Sequence, residues 1–308
     1  MRWRLISDVG GTNVRFARVI DEENIVDRCS YLVSRFDGFL GALRAYTSEI
    51  GGGLAGCSGA AIGAAGPIQA GSASLTNISW TISETEVAEE IGAPCTLAND
   101  VEAAAYCVPG LSSHEILPLG DAVPKLDTAH RIVAANIGTG FGAATLIRTP
   151  AGWFSAPSEA GHMSLPLPEA NQARLRPNFK SAEDVLSGRG VVNLHAALTE
   201  KPAAREAAEI FSCASSDPKC REALDLFTEI AGDVLGNLAL GVAAWDGVFL
   251  FGSVAKGFSC VADHGRFREA FENKGPMNDW MKRIPVALVE KEDASLFGLA
   301  ALPVPAHV

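Results

Sequence analysis

Four stretches of this chain set reactive side chains where chemistry could be done. In the first, the apolar run Leu5-Ile6-Ser7 ends on Asp8, and Gly10, Gly11, Thr12 and Asn13 follow before alternation resumes. Successive backbone N–H groups in such a turn make a concave anion site, to which Thr12 adds a hydroxyl donor. The glycines allow close approach of a ligand and permit φ > 0. Asp8 has the wrong charge to touch a phosphate directly but suits a hydrated Mg²⁺ that bridges phosphate oxygens. Taken alone, the segment also reads as a hairpin whose Asp and Gly-Gly are only turn formers. In the second stretch, Cys95-Thr96-Leu97-Ala98 stops at Asn99-Asp100, just ahead of the helical run Val101–Tyr106. A carboxylate between a strand's C-terminal end and a following helix lies where open α/β sheets place ligands, and an N-cap Asp would look the same. The third, Ile132–Ala144, repeats the first pattern with Gly138-Thr139-Gly140 at its turn. Two such hairpins suggest an internal duplication with a phosphate-cradling loop in each lobe, the pair gripping a polyphosphate. The fourth gives Glu159 and His162, three residues apart, with Glu183 beyond them as a further acceptor. Singly, Glu183 also reads as a helix N-terminal charge and His162 as a satisfied core histidine.

The elements that must hold these groups alternate between strand and helix, the pattern of α/β layers. Arg28–Ser34 reads as a third strand, and Asp37 as the cap of a helix that runs to about Ile50 and ends at Gly51-Gly52-Gly53. Gly59–Ala65 is a small-residue strand closed by Gly66-Pro67, leaving room for something packed above it. Ser72–Trp80 suggests a short strand, and Ser83 with Glu86 a capping box for a helix that Gly92 terminates. Ser181–Leu186 reads as a short helix broken by Ser187-Gly188-Arg189-Gly190, with another helix from Val191 to Leu198. Pro202–Cys213 and Asp217–Trp245 read as helices, the second packed closely through Gly232, Gly236 and Gly241. A buried-type strand, Val248–Phe251, ends at Gly252-Ser253. Helical segments near Arg266–Glu272 and Asn278–Lys282, a strand Val286–Val289 and a final helix of about Ala294–Leu302 complete the chain.

The 308 residues, 48% of them hydrophobic, can bury a sizeable core, and the length favours two lobes. A formal charge of -11 argues against nucleic acid or an anionic membrane as the main partner. An anion must then be held by local backbone groups and a metal. No apolar run is long enough for a transmembrane helix, and the segment before Asp8 is too short for a signal peptide, so a cytoplasmic protein is expected. Seven cysteines at irregular spacing, with no C-x-x-C pair, read as reduced and mostly buried small apolar residues. The six histidines show no H-x-x-x-H pattern beside an acid, so no protein-built zinc site is expected.

Six motifs in order carry a resemblance. Asp8-Val-Gly-Gly-Thr-Asn13, Asn99-Asp100, Gly138-Thr-Gly140, Glu159-x-Gly-His162, Ser181-Ala-Glu183-x-Val-Leu-Ser-Gly188 and Gly247-Val-Phe-x-x-Gly252 follow the order and spacing of bacterial glucokinases. The likeness runs from about Leu5 to Leu302. It implies the superfamily of sugar kinases, actin and heat-shock ATPases: a two-lobed α/β, actin-like or ribonuclease H-like fold with a central ligand cleft. It also implies transfer of phosphate from ATP, with Mg²⁺, to the 6-hydroxyl of glucose. By this resemblance Asp100 is the base, and Asn99, Asp100, Glu159, His162 and Glu183 bind the sugar. Asp8 sits by the metal through water, Gly10, Gly11, Thr12, Asn13, Gly138, Thr139 and Gly140 surround the phosphates, and Gly252-Ser253 lies near adenosine. A homodimer is implied as well. Fixed carboxylates, an amide and an imidazole suit a neutral sugar, and the phosphoryl charge needs N–H donors and metal. Two positions depart from the family: Ala160 stands in its Glu-Gly-Gly-His motif, and Gly252-Ser253 replaces a Gly-Gly turn. The related repressor and kinase family has a cysteine-rich zinc motif soon after its Gly-His, and nothing like it follows Gly161-His162.

The lobes are expected at 1–109 completed by a C-terminal helix within 294–308, and at 110–293, closing over sugar in the cleft to exclude water. The rival readings are a kinase for mannose, fructose or an N-acetylhexosamine, and a sugar sensor or actin-like ATPase that turns over no sugar. A panel of sugars separates the first, and nucleotide-dependent assembly would reveal the cytoskeletal form of the second.

Overall fold

Apolar residues spaced through Trp3–Val9 and Asn13–Ile20 build the first two strands, β1 and β2, which pair antiparallel across the glycine turn. The structure, a computed structural model, describes residues 2–21, 24–75, 78–167, 169–199 and 205–305. It divides into two units, residues 1–108 with 292–308, and residues 109–291. Of the terminal segments assigned to the lobes from sequence, residue 1 and residues 306–308 lie outside the described residues.

In the first unit β2 continues antiparallel into β3 (Asn24–Leu32), and α1 (Phe39–Glu49) follows a single 3₁₀ turn. The strand therefore ends before Ser34, and Gly38, with no side-chain bond, starts the helix in place of Asp37. β4 (Cys57–Ala64) pairs parallel with β1. A small sheet of β5 (Ile68–Gln69), β6 (Ser72–Ser74) and β7 (Thr81–Ser83) follows, so the strand expected over Ser72–Trp80 stops at Ser74. Residues 76 and 77 of that expectation lie outside the described residues. Ser83 caps α2 (Glu84–Ile91) by accepting the Glu86 N–H, and Gly92 ends it at φ 67°. β8 (Cys95–Asn99) joins parallel beside β4, and α3 (Asp100–Ala105) leaves directly from it. One face of the sheet buries Phe16 against Phe39 and Tyr46, the Phe16 and Tyr46 rings stacked at 5.1 Å. Full burial of such a side chain contributes about 1.5–3 kcal/mol. Above the small residues of β4 lie α3 and the C-terminal helix, Ala294–Ala301: a Cβ on Gly63 would stand 3.3 Å from Ala103 and 3.5 Å from Leu299.

The second unit holds β9 (Ile116–Pro118), β10 (Arg131–Ile137), β11 (Phe141–Thr149) and β12 (Gly152–Ser158). Then come α4 (Glu169–Leu175), α5 (Gly188–Thr199), α6 (Ala207–Cys213) and α7 (Pro218–Gly241). β13 (Val248–Phe251), α8 (Ser253–Ser259), α9 (His264–Glu272), α10 (Asn278–Met281) and β14 (Val286–Val289) complete it. Its sheet runs β12-β11-β10-β13-β14-β9, and the first unit's runs β3-β2-β1-β4-β8. In both, a three-strand antiparallel meander is extended by two parallel strands.

Three local expectations change here. Ser181–Leu186 is a run of turns, with Asp184 Oδ2 accepting the N–H groups of Lys180 and Ser181, each at 2.9 Å. Helix α5 then starts at Gly188, with Ser187 Oγ accepting the Gly190 N–H at 3.0 Å. The helix expected over Pro202–Cys213 begins at Ala207, with residues 200–204 outside the described residues. Along α7, Gly232 and Gly236 do admit α9, since a Cβ on either would strike a carbonyl of Phe267 or Phe271, but Gly241 faces open space. The cysteines also differ from expectation. Cys213 and Cys220 are disulfide-bonded, and of the free ones Cys107 is buried, Cys260 exposed, and Cys29, Cys57 and Cys95 intermediate.

Candidate active site

In the first unit the C-terminal ends of β1 and β8 carry the two acids read from sequence. Asp8 is in register with Gly63 of β4, and Gly63 with Ala98 of β8, so Asp8, Asn99 and Asp100 share one end of the sheet. Burial pushes the Asp8 carboxyl above the ordinary aspartate range, and Asp293 adds to the rise; a hydrogen bond from Ser295 and the charge of Arg15 oppose it. Ser295 Oγ donates to Asp8 Oδ2 at 2.9 Å, and Arg15 Nη1 stands 3.9 Å from the same oxygen. Arg15 also reaches Asp293 at 3.5 Å, which Arg28 holds at 3.0 Å. The Asp100 carboxyl is raised too, chiefly by burial and further by the charge of Asp8. Its Oδ1 accepts the Val101 N–H at 2.9 Å, which fixes the orientation of the carboxylate.

The N-cap of α3 is Asn99, not Asp100. Asn99 Oδ1 accepts the N–H groups of Val101 and Glu102 at 2.9 and 3.0 Å, while Glu102 returns a carboxylate to the Asn99 N–H. With that oxygen committed to the helix, Asn99 has its amide nitrogen to offer a ligand as a donor. Asp100 is thereby released from capping, which removes its alternative reading.

The turn between β1 and β2 is closed by the Gly10 N–H donating to the Asn13 carbonyl at 2.9 Å, and Thr12 and Asn13 are exposed. Neither Gly10 nor Gly11 has positive φ. The backbone freedom expected of these glycines is not drawn on; what they supply is space, the nearest atom to a Gly10 Cβ being 3.6 Å away. The second turn closes in the same manner, Gly138 N–H to Gly140 carbonyl at 2.9 Å, with Thr139 exposed, and neither of its glycines has positive φ. Here the surroundings are tighter. A Cβ on Gly140 would lie 2.6 Å from Glu183 Oε2, and the Gly138 carbonyl accepts the Gly188 N–H at 2.8 Å. Gly252, at φ 100°, lies against Ile137 and Asn136 so closely that any side chain would collide with both, and Ser253 opens α8 behind it.

Glu159 precedes and His162 ends a 3₁₀ turn, Ala160–His162, and both side chains are exposed. Ala160, where the family motif has glycine, is 1% exposed and packs into the unit's core. Glu183 lies beside this turn: its N–H donates to the Gly161 carbonyl at 2.9 Å, and its Oε2 accepts the Phe141 N–H at 2.9 Å. One residue thus ties the Gly138–Gly140 turn, through its carboxylate, to the Glu159–His162 turn, through its backbone N–H.

Within their own units, then, Asp8, Asn99 and Asp100 come to one sheet end, and Gly138, Gly140, Gly161, Glu183 and Gly252 converge around another. Missed from sequence were Ser295 and Asp293, which have no local signal toward Asp8, and Asn136, which lies two residues before its glycine turn as Asp8 does before Gly10. Among the described residues, no helix is long and apolar enough to cross a membrane.

A sequence profile of the family described as Glucokinase matches residues 5–304. The glucokinase of Nitrobacter hamburgensis is 33% identical over 316 aligned positions, covering 97% of each chain. The crystal structure of a glucokinase from an Antarctic psychrotroph superposes with a TM-score of 0.85 at 30% identity, covering 98% of both chains. That of a glucokinase from Balamuthia mandrillaris in complex with glucose gives 0.76 at 20% identity, over 97% of this chain and 92% of that one.

Proposed function

The chain belongs to the glucokinase family, and on that premise we propose how its residues divide the reaction. The enzyme is a hexokinase-type phosphotransferase of the two-lobed actin-like fold that uses ATP to phosphorylate glucose at its 6-hydroxyl. Asp100 is the base that takes the proton of the attacking hydroxyl. The observation that carries this role is its setting: an acid beside the N-cap, relieved of capping by Asn99, oriented by the Val101 N–H, and with its proton affinity raised by burial and by Asp8. A base whose affinity is lifted toward working pH is better matched to accepting a proton than an ordinary carboxylate.

Glu159, His162, Glu183 and the Asn99 amide hold the remaining sugar hydroxyls, the carboxylates accepting and the amide donating. Gly10, Gly11, Thr12 and Asn13 on one turn, and Gly138, Thr139 and Gly140 on the other, present N–H and hydroxyl donors to phosphate oxygens. Gly252 and Ser253 border the adenosine. Asp8 fits a hydrated divalent cation: a carboxylate whose negative charge is disfavoured by burial and by the neighbouring Asp293 gains most from a hard cation with oxygen-ligand preference. When bound, Mg²⁺ would neutralise charge on the phosphates. Arg15 and Ser295 meanwhile keep Asp8 aimed.

The test is a coupled assay of ADP release with Mg²⁺-ATP against glucose, mannose, fructose and N-acetylglucosamine. Glucose is expected to give the highest kcat/KM. Glu183→Gln is expected to raise the glucose KM with kcat nearly unchanged, as for a contact made equally in ground and transition states. Absence of turnover with every sugar, alongside tight sugar binding, would replace this reading with a sensor.

A further inference from the structure

Away from every residue assigned above, the junction of α6 and α7 gathers side chains that phosphoryl transfer does not use. Cys213 is the last residue of α6, Asp217 caps α7 and Cys220 lies in the first turn of α7, with Cys213 and Cys220 joined as a disulfide. Arg205 Nη1 stands 3.0 Å from Cys213 Sγ, 2.7 Å from Cys220 Sγ and 2.9 Å from Asp217 Oδ2. His195 Nε2, on α5, is 3.8 Å from Cys220 Sγ. Cys220 is fully buried and Cys213 only partly so.

Whether a disulfide is a staple or an exchange site depends on two things: access to one sulfur, and stability of the other as a leaving thiolate. Here the two properties fall on different sulfurs. Cys213 is the one a thiol can reach. Cys220 is the one whose thiolate is favoured, by the N-terminus of a 24-residue helix and by a guanidinium that touches both sulfurs but lies nearer this one, 2.7 Å against 3.0 Å. The opposing charge, Asp217, is itself occupied by Arg205 and by the Lys219 N–H at 2.8 Å. Lys219 pairs with Glu222, and Arg221 with Asp225, on the exposed side of α7. Burial and Arg205 lower the proton affinity of His195, leaving a neutral ring beside the sulfur. As a staple the bond closes a sequence separation of only 7, and short loops constrain the unfolded chain less than long ones.

We propose that Cys213–Cys220 is a thiol-exchange site for low-molecular-weight thiols. A thiolate attacks Cys213 Sγ; the protein S–S bond breaks, and its electron pair goes to Cys220 Sγ, where Arg205 holds the thiolate. A second thiolate attacks the small-molecule sulfur of the mixed disulfide and releases Cys213. Two thiols are oxidised to one disulfide while the protein disulfide is reduced to a dithiol, the cysteines taking up protons from solution.

The experiment uses the full chain with reduced glutathione as probe at pH 7, quenched by iodoacetamide and read by peptide mass, with sugar-kinase activity followed as the measure of folding. The expected first product carries glutathione on Cys213 and alkyl on Cys220. Arg205→Gln should slow its formation about threefold to tenfold, from the dependence of exchange on leaving-thiol pKa, while Arg205→Lys stays within about twofold. Glutathione found on Cys220, or a rate unchanged in Arg205→Gln, would overturn the proposal. So would stoichiometric Zn²⁺ uptake by the reduced protein that blocks alkylation, since that would make Cys213, Asp217 and Cys220 a metal site. The position of the adduct is read on the unaltered protein, so the outcome does not hang on a variant folding.

Discussion

The two glycine turns sit on sheets whose first five strands match in order and sense, and each is closed by one bond from its first glycine N–H. They differ two residues upstream. Asp8 precedes the first turn and pairs in register with Arg15; Asn136 precedes the second and pairs with Gly142. Around the first are gathered Asp100, Asp293 and Arg15, while the second is hemmed in by backbone, Gly252 and the one carboxylate of Glu183. The closed glycine turn is thus built twice, and the upstream acid once. On the proposed division of the reaction that inequality has a reason: a phosphate chain needs donors along its length, but proton abstraction and a metal are each needed in one place.

Removing the proposed base tests the charged side of the comparison most severely. Asp100→Asn is expected to lower kcat roughly 10²- to 10⁴-fold with little change in glucose KM, measured by coupled ADP release. The same variant should be the more stable protein at neutral pH. A raised folded-state pKa means the native state binds its proton more tightly than the unfolded state, so the associated stability is complete at low pH and is lost as pH rises through the folded value. The Tm advantage of Asp100→Asn should therefore appear at pH 7 and vanish below the ordinary aspartate value of 3.8.

Asp8→Asn makes the first turn resemble the second. Losing a contact to a charged group costs about 1.5–3 kcal/mol, so the half-saturating Mg²⁺ concentration should rise about tenfold or more. The proton affinity of Asp100 should fall at the same time, because Asp8 contributes to raising it, and the Asp100 carboxyl resonance should titrate at lower pH. The converse exchange, Asn136→Asp, puts an acid at the neutral turn. If that turn holds phosphate by N–H groups alone, the ATP KM should rise about tenfold from repulsion across a few ångströms, with the glucose KM unaffected. A fall in ATP KM would mean the second turn also wants a cation, and the asymmetry would lose its meaning.

Much of this was legible in the chain itself. The hairpins showed because period-two apolar runs meet adjacent glycines, and Asn99-Asp100 showed because a strand stops there and a strong helix former starts. What the residues could not display was anything set by distant partners. Ser295 reaches Asp8 across 287 positions. Ser181–Leu186 has helical composition, yet its N–H groups close only turns, Leu186 and Val185 both donating to the Ala182 carbonyl. Cys213 and Cys220 have no recognised spacing and meet only because α6 turns directly into α7. The glycines were read for backbone freedom, a property of one residue, whereas at Gly140 and Gly161 the structure makes them necessary through neighbours: Glu183 for one, the Phe141 carbonyl for the other.

That last distinction yields the smallest and most discriminating contrast between the turns. A Cβ on Gly10 has 3.6 Å to its nearest atom and negative φ, so Gly10→Ala should fold normally and keep both KM values within about twofold unless the phosphate itself needs the space. A Cβ on Gly140 would stand 2.6 Å from Glu183 Oε2, which already accepts the Phe141 N–H. The carboxylate tip can move away, but only by giving up that hydrogen bond, worth about 1–3 kcal/mol when one partner is left unmet. Because Glu183 is also assigned to the sugar, Gly140→Ala should raise the glucose and ATP KM values together, each about threefold to tenfold. Steady-state kinetics of the two alanine variants side by side decides the matter. A rise in ATP KM alone for Gly140→Ala would mean that Glu183 serves only to brace the turn, and a rise in glucose KM alone would mean that the turn tolerates its loss.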